Sequence, residues 1–197
     1  RSLASPQMGA ERLTMKTVKN IPLIFGERDI LKAIQLLPGI KSAGEGGAGI
    51  YVRGGSSDQN LVLMDDVPVY NAAHLLGFFS TFNPDAVDDI TVYKTGMPSQ
   101  FGGRLSSVLD IKMRQGETEK FSASGGIGLI SSKLTLEGPI QKNKSSFIIS
   151  GRRTYVDALL RLSPDSAINQ NTMYFYDVNG KADFQLGEND KLTFSGY

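Results

Sequence analysis

Residues 174–186 read YFYDVNGKADFQL, and taken alternately they sort into two unlike faces. Tyr174, Tyr176, Val178, Gly180, Ala182, Phe184 and Leu186 share one parity; Phe175, Asp177, Asn179, Lys181, Asp183 and Gln185 share the other. Side chains of an extended strand point alternately to opposite faces, so one face is apolar and the other carries two aspartates and a lysine. Such a dyad repeat marks a strand of a membrane barrel, apolar towards lipid and polar towards the lumen. A lysine facing hydrocarbon at mid-depth costs roughly 2–4 kcal/mol, so in that setting Lys181 and both aspartates face inwards. A water-soluble sandwich also alternates, and the neighbouring segments decide between the two.

Phe121, Ala123, Gly125, Ile127 and Leu129 share one parity, while Leu134, Leu136 and Ile140 share the other. A one-residue slip reverses every side chain, so the flip predicts a tight turn or bulge near Ile130, Ser131 and Ser132. Phe147, Ile149, Gly151 and Tyr155 then face one way, with Ser150, Arg152 and Thr154 opposite. Arg153 falls on the apolar parity, but beside Tyr155 near a strand end, where a cation costs roughly 0–1 kcal/mol. Short polar turns at 141–144 and 187–190 alternate with a long connection over 156–172, and Leu192 and Phe194 resume the apolar face. Bacterial barrels show this contrast between short periplasmic turns and longer outer loops.

Composition narrows the alternatives. With 40% apolar and 21% charged residues over 197 positions, the chain has globular values. Its formal charge of +1 gives no reason to expect nucleic acid as a partner. No apolar stretch approaches the roughly 18 residues of a membrane helix, so a membrane role must use strands. There is no cysteine, hence no disulfide framework and no thiolate metal site. Arg1 is not an initiator, and the chain ends within an apparent strand, which reads as a fragment of a longer protein.

The front half has a different character. Residues 1–20 mix small, polar and basic types without a period and read as a flexible lead-in. Over 27–37, Ile30, Ala33, Ile34 and Leu37 fall on one helical face. Glu27 and Asp29 suit the first turn of that helix, and Pro38-Gly39 stops it. Gly44, Gly46 and Gly49 formally spell a dinucleotide fingerprint, but here a helix precedes and a strand follows, the reverse of what that motif needs. Ile50 and Val52, then Leu61 to Met64, read as the strands of a hairpin. Its turn at 55–60 would lie at one end, with 41–48 and 69–80 together at the other. Ile90 and Val92, then Val108, Leu109 and Ile111, mark two later strands, with a glycine corner at Phe101-Gly102-Gly103.

The order LLPGI (36–40), IYVRG (50–54), LMDDVPV (63–69), ITVYKTG (90–96), FGGR (101–104) and VLDI (108–111) resembles the plug domain of TonB-dependent outer-membrane receptors. Asp66 stands where that family usually has glycine, and Phe101 where it usually has tyrosine. The resemblance implies an α+β plug domain, a small mixed sheet with short helices, over about 21–115. The first antiparallel strands of a transmembrane β-barrel follow over about 116–197, part of a barrel closed with 22 strands. It further implies an outer-membrane location, with the plug inside the lumen and the N-terminus periplasmic. The implied activity is binding of an extracellular nutrient and its import when TonB pulls on the plug. An iron chelate, a glycan or a peptide all suit such a receptor, and the plug wording is similar to that of Bacteroidetes-like bacteria. The alternative is a non-transporting recognition or adhesion module on the same fold.

Under that resemblance the apical plug loops carry the expected substrate contacts: Ser42, Glu45, Tyr70, Asn71 and the sole histidine, His74. Arg53 and Arg104, with Arg114, and Asp65, Asp66 and Asp110 are expected to form an ionic network in the plug or between plug and wall. No catalytic constellation stands out: Asp65-Asp66 and Asp88-Asp89 are adjacent pairs whose side chains diverge on a strand. His74 has no second histidine for zinc, and no nucleophile elbow, phosphate loop or HExxH motif occurs. No enzyme and no cofactor is expected.

Overall fold

Residues 10–18, expected within a structureless lead-in, are ordered. In the computed structural model, which describes residues 9–18, 28–42, 49–74, 79–162, 164–165, 169 and 174–197, they form strand β1 (Ala10–Thr14) and the helical turn α1 (Met15–Val18). The pattern hid β1 because Leu13 is its only buried residue. Otherwise it is held by an antiparallel backbone ladder to residues 89–93 and by two ion pairs: Arg12 Nε donates to Asp89 Oδ2 at 2.7 Å, and Glu11 Oε1 receives Lys94 Nζ at 2.5 Å.

Helix α2 (Ile30–Gln35) starts as its sequence suggests, with one refinement. Asp29 is the N-cap rather than a first-turn acid: its Oδ1 accepts from Lys32 N at 3.0 Å, and its Oδ2 from Ser80 N at 2.5 Å. One carboxylate thus satisfies a free helix-end amide and ties the helix to a distant strand. Ile30, Ala33 and Ile34 are buried as the helical period requires. Beyond Leu37, Gly39 takes a φ of 79°, and the chain enters β2 (Ile40–Ser42), which pairs antiparallel with β3 (Ile50–Val52).

The expected hairpin between residues 50–54 and 61–67 does not form. After a 3-10 turn at Ser57–Gln59, β4 (Asn60–Met64) runs parallel to β9 (Ser107–Met113) and antiparallel to the short β5 (Val67–Pro68). Between β5 and β9 come the paired β6 (Ala73–His74) and β7 (Phe79–Ser80), then β8 (Val87–Tyr93). The main sheet has the order β1-β8-β9-β4-β5. Its core includes Leu13, Val18, Ile34, Val52, Met64, Phe82, Ile90, Leu109 and Ile111.

The tight link between β4 and β5 reorganises the loops. Asp65 and Asp66 have φ of 46° and 69°, the left-handed pair that a two-residue hairpin favours. Val69 N then bonds Val62 O at 2.8 Å, so the chain returns along β4 towards Asn60. Residues 55–60 and 69–73 therefore lie at the same end of the sheet. The sequence reading had put them at opposite ends.

The chain divides into two units: among the described residues the first holds those up to Met113 except Arg28, and the second holds Arg28 and Arg114 to Tyr197. In the second, β10 (Ser122–Ile127), β11 (Ser131–Gln141), β12 (Ser145–Thr154), β13 (Tyr176–Gln185) and β14 (Lys191–Gly196) form one antiparallel sheet in chain order. The helical turn α3 (Val156–Leu160) follows β12. The parity flip is a tight turn at residues 128–130, slightly earlier than expected, closed by Gly128 N to Ser131 O at 2.7 Å. Tyr155 pins it: its hydroxyl donates to Gly128 O or Ser131 O, and its amide to Ile130 O.

The faces of this sheet are inverted relative to a soluble protein. Tyr176 and Val178 are 70% and 58% exposed, whereas Asn179 and Asp183 on the other parity are 2% and 5% exposed. The buried polar row continues on neighbouring strands with Thr135, Glu137, Ser150 and Arg152. Arg152 is held by Asp177 through Nη2 at 2.6 Å and Nε at 3.1 Å. Asp183 Oδ1 accepts from Thr193 Oγ1 at 2.6 Å and lies 3.0 Å from Lys191 Nζ. No helix among the described residues is long and apolar enough to cross a membrane, which leaves strands aside. Such an outside-in pattern is stable only where the medium around the apolar face is itself apolar.

Candidate functional site

The sheet end where the loops gather encloses a cavity of about 350 Å³ in the first unit. Its frame is built by short-range chemistry. Asn60 Nδ2 donates to Ile50 O and to Ser57 O, and Asn60 Oδ1 accepts from Ser107 Oγ at 2.7 Å, joining β3, β4 and β9 at one residue. Ser106 Oγ donates to Val52 O at 2.9 Å and packs against Gly55, where a Cβ would come 2.2 Å from that hydroxyl. Asn60 is thus spent on structure, and the groups left facing the cavity are Asp58, Tyr70, Asn71 and Arg104.

Tyr70 is 87% exposed and Asn71 is also exposed, so both stand at the rim as adaptable contacts. Asp58 accepts from Ser56 Oγ, and that bond, with a smaller contribution from Arg104, holds its carboxyl below the usual range. Arg104 follows the corner at Gly103, whose φ is 84°, and is exposed. It makes no ion pair among the described residues. One anion, one cation, a phenol and an amide at one mouth suit a polar ligand of low net charge.

A second concavity of about 490 Å³ in the same unit is lined by Gly39, Lys41, Ser42, Tyr51, Arg53 and Gly54. Two cations without a carboxylate favour an anionic group there. Arg53 has a φ of 49°, and its amide donates to Gly39 O at 3.1 Å.

The structure therefore divides the five expected substrate contacts. Tyr70 and Asn71 line the first cavity and Ser42 the second, whereas His74 sits half-buried in β6 and lines neither. Glu45 lies outside the described residues. Asp58 was missed; the only sequence signal for it was its place in the turn-rich run 54–60.

The expected ionic network needs a different cation. Arg53 and Arg104 reach none of Asp65, Asp66 or Asp110; Lys112 does, with Nζ 2.7 Å from Asp66 Oδ1 and 3.2 Å from Asp110 Oδ1. Asp65 Oδ1 accepts from Met113 N at 3.0 Å. Arg114 instead pairs with Glu137 at 3.1 Å in the second unit. The physical reason is the parallel β4–β9 register, which sets Leu63 opposite Asp110 and Met64 opposite Ile111. The turn after β4 then meets the end of β9, while Arg104 is left at the other end. Burial pushes the Asp110 carboxyl up, with help from Asp66 and Asp65, and the pull of Lys112 does not fully offset it. Burial works against the Lys112 charge too, but the hydrogen bond to Asp66 and the attraction of Asp110 outweigh it, and its pKa is raised. Among the described residues no group of three metal-ligating side chains converges.

Residues 14–107 match the family model described as TonB-dependent Receptor Plug Domain, and that segment is a plug domain of this kind. The chain also superimposes on solved structures far longer than itself. One is the siderophore receptor PirA from Pseudomonas aeruginosa, with 18% identity, 97% of this chain and 33% of that one covered, and a TM-score of 0.68. Another is the ferric yersiniabactin uptake receptor FyuA from Yersinia pestis, with 16% identity, 94% and 30% covered, and a TM-score of 0.62. A third is the copper transporter OprC, with 12% identity, 95% and 29% covered, and a TM-score of 0.63. No curated protein matches. The chain spans about a third of the length of these structures, and the shared feature at such identities is the fold: a mixed-sheet plug followed by antiparallel strands. Their names make them receptors and transporters, not enzymes.

Proposed function

We propose that this chain is the front part of an outer-membrane active transporter, which binds an extracellular nutrient and releases it to the periplasm when TonB pulls on the plug. The observation that carries this reading is the inverted sheet directly following a plug domain: apolar Tyr176 and Val178 outside, polar Asn179 and Asp183 within. A plug is needed only where a barrel is too wide for its own side chains to fill. In this reading the end bearing Asp58, Tyr70, Asn71 and Arg104 receives the ligand, and the long 155–175 connection lies on the outer side.

Two ligand chemistries divide between the two concavities. The charge-balanced mouth at Tyr70 fits a neutral glycan or peptide, with the phenol as a stacking surface and Asn71 and Asp58 for hydroxyl or amide groups. That agrees with the similarity of the plug wording to receptors of Bacteroidetes-like bacteria. The Lys41–Arg53 concavity fits an anionic iron chelate, the class named for PirA and FyuA. Growth of cells on single nutrients, with and without the full-length receptor, identifies the ligand. Alanine at Tyr70 and Asn71 together is then expected to weaken binding about tenfold, the loss of one or two polar contacts. Removal of TonB is expected to abolish uptake and leave binding intact. Uptake that persists without TonB rejects the reading.

A further inference from the structure

The outward face of the second unit carries a second kind of site. Register aligns its side chains in rows across four strands: Ala123–Leu136–Ile149–Gly180, then Gly125–Leu134–Gly151–Val178, then Ile127–Ser132–Arg153–Tyr176. Gly138, Phe147 and Ala182 form the row below. In these four rows every side chain is apolar or absent except in the Ile127–Ser132–Arg153–Tyr176 row. There Ser132 and Arg153, the sole hydroxyl outside tyrosine and the sole charge, stand directly opposite one another, with the Tyr176 phenol on the other flank of Arg153.

Arg153 is exposed, and among the described residues its charge meets no carboxylate. The nearest acid in register, Asp177, belongs to the opposite parity and is held by Arg152. The partner Arg153 does have is the Tyr174 ring, 5.7 Å from its guanidinium carbon. One row deeper, Gly125 and Gly151 leave a trough of about 790 Å³, whose lining includes Ile127, Leu134, Arg153 and Val178. At Gly151 the nearest atom to an added Cβ is Asp177 O at 3.9 Å, so the trough is open there, whereas an added Cβ at Gly125 would come 3.0 Å from Lys133 O and 3.4 Å from Leu134 Cδ1, which bound it on that side.

A lone guanidinium flanked by two hydroxyls, at the rim of an apolar face and above an apolar slot, matches one ligand chemistry. It takes a phosphate monoester or diester in charge-assisted hydrogen bonds, with a hydrocarbon chain directly below it. We infer that Arg153, Ser132 and Tyr176 form a headgroup site for a phosphorylated acylated lipid whose chain lies in the Gly125–Gly151 trough. Resting on the orientation in the proposed function, with the 155–175 connection outermost, the occupant is a phosphorylated glycolipid of the outer leaflet, of the lipid A type.

The test uses the full-length receptor in detergent, titrated with lipid A, with lipid A stripped of its phosphates, and with phosphatidylethanolamine. Bound lipid is read by native mass spectrometry. The expected result is retention of lipid A with at least about tenfold weaker retention of the phosphate-free form, the gap of a charge-assisted contact. Arg153→Gln is expected to erase that gap, and Gly151→Leu, which fits the open slot, to weaken both glycolipids alike. Equal retention of the two glycolipids, or a gap that survives Arg153→Gln, overturns the site. Preference for phosphatidylethanolamine overturns the outer-leaflet assignment and the orientation with it. Nutrient uptake measured on the same variants is expected to be unchanged, so the lipid site and the transport reading fail separately.

Discussion

Asp65 and Asp66 show how much one turn decides. Both adopt left-handed backbone angles that cost most side chains of order 1–3 kcal/mol, and aspartate tolerates them better than nearly any residue but glycine and asparagine. Asp66→Gly is therefore expected to change the stability of the β4–β5 link by less than about 1 kcal/mol, since relief of backbone strain offsets loss of an exposed ion pair. Asp66→Val should cost more than about 1 kcal/mol, because a β-branched side chain fits that region poorly. Amide hydrogen exchange in β4 and β5 of the full-length receptor reads both. Lys112 adds a pH signature. Its raised pKa contributes stability that is present below its unfolded value and lost as pH rises through the folded one. Asp110 has the opposite sense: its raised pKa means the ionised form costs stability at neutral pH, and the cost fades as pH falls through the folded value. Lys112→Met should thus loosen β9 by about 0.5–1 kcal/mol at pH 7, an exposed-pair magnitude. The difference from the parent protein should shrink as pH falls through the raised Asp110 value, where that carboxyl becomes neutral.

At the scale of elements, β1 depends on charge where the rest of its sheet depends on burial. The Lys94 side chain is 6% exposed and is shared between Glu11 Oε1 and Pro38 O, so one ammonium holds the first strand and the end of α2 together. Glu11→Ala leaves that cation buried with a single carbonyl partner. A loss of about 2–3 kcal/mol is expected, seen as faster exchange at residues 10–14 with β4 unaffected. What the sequence revealed follows the same division. The face of α2, its stop at Pro38-Gly39, strands β8 and β9 and the five strands from β10 to β14 were readable, because each writes its burial into a local period. Strand β1 was not, because its one buried leucine makes no period. The parallel β4–β9 pairing was not either, because its partners lie some 47 residues apart, as in the Asn60–Ser107 pair. From that single omission came the misplaced loop end, the misassigned arginines and the overlooked Lys112. Tyr70 and Asn71 line a cavity all the same, because the hairpin carries them to one at the other end.

For the whole molecule, the inversion of the second unit sets the sign of every substitution made there. Val178→Lys is expected to cost roughly 2–4 kcal/mol of folding free energy in a bilayer and little in detergent loose enough to wet the site. Asp177→Ala removes the carboxylate bound by Arg152, whose side chain is 1% exposed and which keeps its contact with the Phe175 ring, and a loss of about 1.5–3 kcal/mol is expected. Urea titration of the refolded full-length protein in vesicles measures both. If Val178→Lys proves harmless there, the apolar face does not meet lipid.

Tyr155 grips the crest between β10 and β11 from both sides, which makes that crest a poor place to graft foreign sequence. A peptide tag spliced between Gly128 and Ile130 would have to break the phenol's two carbonyl contacts and the amide bond to Ile130. The same tag at 187–189 would meet an exposed bend closed by local bonds alone, Gln185 Nε2 to Gly187 O and the Leu186 amide to Asp190 O. Antibody labelling of intact cells carrying one or the other tag would therefore report on topology only from positions that this tyrosine does not staple.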